Sequence, residues 1–126
     1  MRTQNDDHKA TLEQANAASR SGDVEGFLKH CTEDTEWTFV GERVLKGKSA
    51  VREWMREAYR TPPQFTVRRM VSEGDYLTAI GEITTRDGRG GEVLNAYCDV
   101  WGFRDGLLSS LHAFVIPARL EAGALT

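Results

Sequence analysis

The hydrophobic pattern changes period once along the chain. From the N-terminus to about Pro62 apolar residues recur mostly at helical spacing, and beyond it they alternate. Asp6 or Asp7 caps a predicted helix running to about Arg20, with Leu12, Ala15 and Ala18 or Ser19 inward and Gly22 just past its end. Asp23 caps a second, short helix over Val24 to His30 that buries Phe27, Leu28 and Cys31. After the polar turn Thr32-Glu33-Asp34, Glu36 to Val40 reads as a short strand with Trp37 and Phe39 on one side. A third helix, capped by Ser49, places Val51, Trp54, Met55 and Ala58 at i, i+3, i+4 and i+7, and Pro62-Pro63 stops it.

From there Gln64 to Glu73, Tyr76 to Arg86, Glu92 to Phe103 and Leu107 to Ile116 read as strands. The breaks are Gly74-Asp75, Asp87-Gly88-Arg89-Gly90-Gly91 and Asp105-Gly106, which suit tight hairpins and so predict an antiparallel meander. Strands this long curl under their own twist, and Gly81 and Gly102 mark places for a bulge or sharp bend. The predicted fold is α+β: three helices cover the concave face of a curved, mainly antiparallel sheet and leave a pocket between.

Composition narrows the setting. A chain of 126 residues fits one domain, with an ordered core expected from about residue 8 to residue 117. The net charge of -3 gives no attraction to nucleic acid or anionic membranes, and no stretch approaches the ~20 apolar residues of a membrane span. Cys31 and Cys98 lack C-x-x-C spacing and read as core thiols in a reducing, cytoplasmic setting. His8, His30 and His112 fall on separate elements without ligand spacing, so neither a metal nor a cofactor is expected. Arg52, Arg56 and Arg60 line one side of the third helix, but Glu53 and Glu57 interleave with them, which reads as a solvated face.

Three segments carry a family likeness by their order and spacing: Ser21-Gly22-Asp23-Val24-Glu25-Gly26-Phe27, Glu33-Asp34-Thr35-Glu36-Trp37, and Gly47-Lys48-Ser49-Ala50-Val51-Arg52-Glu53-Trp54. Asp99-Val100-Trp101-Gly102-Phe103-Arg104-Asp105-Gly106 adds a final hairpin. Together they resemble the nuclear transport factor 2-like superfamily, in its SnoaL-like and ketosteroid isomerase-like branches. The resemblance implies a cystatin-like, cone-shaped roll with a ligand pocket at its wide end and homodimerisation through the outer sheet face. It does not imply a single activity, because isomerases, cyclases, dehydratases, epoxide hydrolases and non-catalytic modules share the fold.

Within that frame the strand after Glu92 holds the candidate chemistry. Alternation places Asn95, Tyr97, Asp99, Trp101 and Phe103 on one face. A carboxyl between two aromatic side chains loses hydration of its charged form, which suits Asp99 to hydrogen-bond donation or to proton transfer with Tyr97 as polar partner. Paired with an arginine, or facing solvent, the same residue does neither. The ketosteroid isomerase-like pattern puts its oxyanion-hole acid at Asp99, but its general base falls on Phe39 and its tyrosine on Ala15, so that activity is not expected. The cyclase-like pattern expects an acid near the end of the last strand, where His112 is the only titratable side chain. A lone histidine on an apolar face is more often a core or interface residue; a register facing the cone would bring His112 and Asp99 together as a dyad on adjacent strands, and sequence leaves that register open.

Glu82 reads as an outer-face residue pairing with Arg68 or Arg69. Trp37, Trp54, Met55, Tyr59, Asn95 and Trp101 are the candidate ligand contacts, suited to a flat apolar molecule. The expected activity is isomerase, cyclase or dehydratase-type proton transfer on such a ligand, with a non-catalytic binding or dimerisation module as the alternative.

Overall fold

A computed structural model describes residues 2–86 and 88–118 of the chain. Among these residues are helices α1 (Gln4–Arg20), α2 (Val24–Leu28) and α3 (Lys48–Ala58). The strands are β1 (Cys31–Phe39), β2 (Arg43–Lys46), β3 (Gln64–Glu73), β4 (Tyr76–Arg86), β5 (Glu92–Arg104) and β6 (Leu107–Pro117). They form one curved, unclosed sheet in the order β2-β1-β6-β5-β4-β3. Neighbours are antiparallel except β1 and β6, which run parallel. The meander β3 to β6 and the α+β class follow the sequence pattern. No described helix is long and apolar enough to cross a membrane.

Several boundaries differ from the expected ones. α1 starts earlier because Thr3, not Asp6 or Asp7, is its N-cap: Asp6 N–H donates to Thr3 Oγ1 (3.1 Å) and Thr3 N–H donates to Asp6 Oδ2 (3.2 Å), closing a capping box. α2 stops at Leu28, two residues short of His30. α3 begins before Ser49, with Gly47 at its N-cap and no side-chain cap. β1 runs back to Cys31 through the supposed turn, since Cys31, Thr32, Thr35 and Trp37 are buried while Glu33 and Asp34 face water and pair with Lys48 and Arg104. β2 went unread because its four residues, of which only Leu45 is even half-buried, carry too little alternation to register.

The two glycines that mark bends do so. The β3–β4 ladder slips between Val67 and Arg69, opposite Gly81, and the β5–β6 ladder slips at Gly102–Phe103. Each extra residue adds local twist, which curls the sheet around its helix-covered face. At Gly81 a side chain has no room: an added Cβ would stand 1.9 Å from Thr66 O.

That inner face holds the core, in which Leu12, Phe27, Leu28, Trp37, Val51, Met55, Leu77, Trp101, Leu108 and Leu111 are buried together. Each contributes about 1.5–3 kcal/mol on leaving water. Cys31 is one of this core, and burial pushes its thiol up to about 12. Cys98 is not a core thiol; it sits half-buried on the opposite face in a row with Ile80 and Phe114. The arginine stripe of α3 is paired on the surface: Arg52 and Arg56 both bind Glu25 (2.8 and 3.1 Å), and Arg60 binds Glu57 (2.8 Å). Glu82 pairs with Arg68 as the sequence suggested.

Candidate functional site

Between the helices and the inner sheet face lies a cavity of about 670 Å³. Its floor follows from the ladder registers. One row across the sheet reads Ala79, Asp99, Ala113, Phe39, and the next reads Leu77, Trp101, Leu111, Trp37. Asp99 therefore has alanines on both neighbouring strands and Tyr97 and Trp101 along its own, which leaves open space above its carboxyl and apolar surface around it. α3 closes the wall with Trp54, Met55 and Tyr59, and α1 adds Leu12, Asn16 and Ser19.

The aromatic lining is mutually braced. Trp37 meets Trp101 edge-on at 5.5 Å and Trp54 at 6.0 Å, while Trp54 in turn packs on Phe39 at 4.7 Å and Tyr59 at 5.2 Å between ring centroids. Such edge-to-face contacts fix ring orientation as well as filling space. The walls are therefore set before any ligand enters.

Among the described residues nothing donates a hydrogen bond to the Asp99 carboxyl, and burial alone pushes its pKa up to about 7. The neighbouring hydroxyls are poor proton carriers near neutrality. Burial, then the proximity of Asp99, raises Tyr59 well above the ordinary tyrosine value and Tyr97 to about 12. Tyr97 is also committed, since its hydroxyl donates to Thr66 O at 2.8 Å across the glycine gap at Gly81. Of the three carboxyls that line the cavity, Glu42 and Glu92 are exposed, so Asp99 is the one held against apolar surface, in either protonation state near neutral pH.

Of the residues singled out from sequence, Asp99, Tyr97, Trp37, Trp54, Met55, Tyr59 and Trp101 all line this cavity. His112 does not: Asp99 pairs with Ala113, so His112, one residue back opposite Val100, points to the other face and is exposed. No Asp99–His112 dyad exists. Asn95 is buried at 4% exposure but lies outside the lining, its amide shared among Ile83 O, Val93 O and Thr85 Oγ1 at the end of the sheet. Ala15 is fully buried, and Phe39 is one of the cavity's aromatic walls. Asn16 and Ser19 were missed as cavity residues. Their signal was the spacing Leu12, Asn16, Ser19, which is i, i+4, i+7 on one helix face. Among the described residues no group of three or more His, Cys, Asp or Glu side chains is placed to hold a metal ion.

No protein of curated function matches the sequence. The fold is shared with solved structures of low identity. An epoxide hydrolase of the LEH-like type from M. tuberculosis is similar with a TM-score of 0.80 and 14% identity, over 90% of this chain and 85% of that one. A ketosteroid isomerase candidate from Kribbella flavida is similar with a TM-score of 0.79 and 18% identity, over 94% and 84%. TerC, co-crystallised with polyporic acid, is similar with a TM-score of 0.74 and 18% identity, over 85% and 89%. These likenesses establish the nuclear transport factor 2-like fold. The SnoaL-like domain family matches residues 12–111, a span that runs from the start of the helical wall of the cavity to the last strand of its floor, and the chain belongs to that family.

Proposed function

We propose that the protein binds an apolar, carbonyl-bearing small molecule in the cavity and moves a proton on it through Asp99, as in isomerisation or loss of water. The observation that carries this reading is a carboxyl with no protein partner among the described residues, set between Ala79 and Ala113 and walled by aromatic side chains. Protonated, it donates to a carbonyl oxygen; ionised, it takes a proton from the adjacent carbon. With a pKa of about 7 both forms are populated near neutral pH. A single group that takes and returns one proton suffices for isomerisation. The presence of a ketosteroid isomerase candidate among the fold neighbours supports a reaction of this type.

The test is hydrogen exchange at the position next to the carbonyl of beta-tetralone, a flat bicyclic ketone, followed by NMR in heavy water. The protein is expected to accelerate exchange, with a rate that rises with pH through about 7. Asp99→Asn is expected to lower that rate roughly a hundredfold or more. Tetralone that binds without faster exchange would overturn the catalytic reading. It would leave a ligand-binding module, which the tying of Tyr97 to Thr66 and the outward position of His112 favour.

The outer sheet face supports a second proposal, a homodimer. Ile80, Leu94, Phe114 and Ile116 are all exposed there, with Cys98 and Val100 between them, an apolar patch of the kind that marks interaction surfaces. A two-fold axis through such a face lets it cover itself. Sedimentation velocity at micromolar concentration is expected to give a dimer for the natural chain and a monomer for Phe114→Glu. A natural chain that sediments as a monomer would refute this interface.

A further inference from the structure

We propose that Asn16 and Ser19 form a second polar anchor in the cavity, so that the molecule bound there carries two neutral oxygen functions at separate ends of an apolar body. One is met by Asp99 on the sheet, the other by this pair on α1. The inference rests on the reading of the cavity given above and extends it to the class of ligand.

α1 turns a buried stripe inward, His8, Leu12, Ala15 and Ser19, spaced i, i+4, i+7 and i+11. Ser19 closes it at 7% exposure, and Asn16, half-buried, flanks it; both line the cavity. Neither side chain makes a hydrogen bond with any described residue. This is unusual for a helical serine, whose hydroxyl ordinarily returns to a carbonyl one turn back. Ser21, at the end of the same helix, behaves that way and donates to Ala18 O at 2.9 Å. Asn and Ser are also poorer helix formers than alanine, because their side chains compete with the backbone for hydrogen bonds. Alanine at either position would satisfy the helix better. The polar groups are accounted for if a ligand oxygen completes them.

The chemistry of the pair limits what that oxygen is. An amide and a hydroxyl each donate and accept, so a hydroxyl or a carbonyl fits equally well. A carboxylate or phosphate would need a cation, and α1 supplies none to the cavity wall. The two arginines in the lining come from elsewhere and are exposed: Arg60 binds Glu57 on the surface, and Arg86 stands opposite Glu92 in the β4–β5 register. Asp99 reaches the cavity from β5 and the pair reaches it from α1, so the two anchors approach a ligand from the sheet and from the helical wall. The ligand spans from floor to helical wall.

The test uses two matched pairs of flat ketones that differ only by a hydroxyl at the end away from the carbonyl: acetylnaphthalene and acetylbiphenyl, each with and without it. Calorimetric titration of the natural chain is expected to show the hydroxylated member binding roughly threefold to tenfold more tightly in at least one pair, the weight of one or two net hydrogen bonds. Asn16→Ala and Ser19→Ala are each expected to reduce that ratio, and the double variant to bring it to one, with an unchanged helical circular dichroism signal. Equal affinity within both pairs, or a preference that survives in the double variant, would overturn the anchor. Binding of the parent ketones without hydroxyl preference sinks the anchor alone, whereas failure of every ketone to bind sinks the reading of the cavity with it.

Discussion

Asp99→Asn is expected to stabilise the fold near pH 8 by up to about 4 kcal/mol while removing the cavity's proton carrier. The size follows from the displacement of the carboxyl from its ordinary 3.8 to about 7 by burial. The sign follows from proton binding. Between those two values the folded chain holds a proton on Asp99 that the unfolded chain has released, so raising the pH favours unfolding. The contribution is fully present below about 3.8 and is lost as pH climbs through about 7. Asparagine matches the protonated side chain in shape and never ionises, so its advantage is large near pH 8 and small near pH 4. For a domain of this size the upper figure corresponds to roughly 15 °C in Tm. Urea unfolding of both proteins at the two pH values checks it; an equal stability difference at both would contradict a desolvated carboxyl. A group that is costly to the fold at working pH and replaceable without distortion is what a functional residue looks like energetically.

The second large effect is structural. Gly81→Ala is expected to destabilise the fold by about 3 kcal/mol. The new methyl would stand 1.9 Å from Thr66 O and 2.8 Å from the Tyr97 hydroxyl. Thr66 O belongs to the backbone beside the β3 bulge and cannot swing aside, so the strand pair must separate. Separation also breaks the Tyr97 to Thr66 hydrogen bond, which leaves the hydroxyl of a buried tyrosine unpaired. Since Tyr97 lines the cavity, ketone affinity is expected to fall with stability. A urea midpoint within experimental error of the natural chain would show that the ladder has more slack there than its geometry implies.

Much of this was legible in the sequence because the features are local. Alternation alone placed Asp99 on one face with Tyr97 and Trp101, the face that proves to line the cavity, and turn residues bounded β3 to β6 to within a residue or so. The glycines at 81 and 102 announced bends because no side chain competes there. What stayed hidden depended on how one strand meets another. His112 and Leu108 share even parity on paper, yet Leu108 is fully buried and His112 exposed, because the slip opposite Gly102–Phe103 inserts Ser109 between the two registers. Asn95 had the right face, but its amide went to the backbone around it, a choice that depends on where Ile83 and Thr85 lie. On α1 the helical period was right and offered Ser19 as an inward residue in place of Ala18; Asn16 was overlooked because a polar residue beside an apolar stripe reads as the edge of the solvent face until a cavity is known to lie against it. The absent dyad changes the chemistry that follows, from an acid and base acting together to one carboxyl acting alone.

That claim rests on the state of a single side chain, which carbon-detected NMR of the Asp99 carboxyl reads directly across a pH titration of the natural chain. A buried carboxyl alone in an apolar cavity is expected to titrate with a midpoint near 7, and the presence of a bound ketone is expected to move that midpoint upward, since the protonated form holds the carbonyl. A midpoint near the ordinary 3.8 would mean that water or an opposite charge reaches Asp99 freely, and the account of the site would fail.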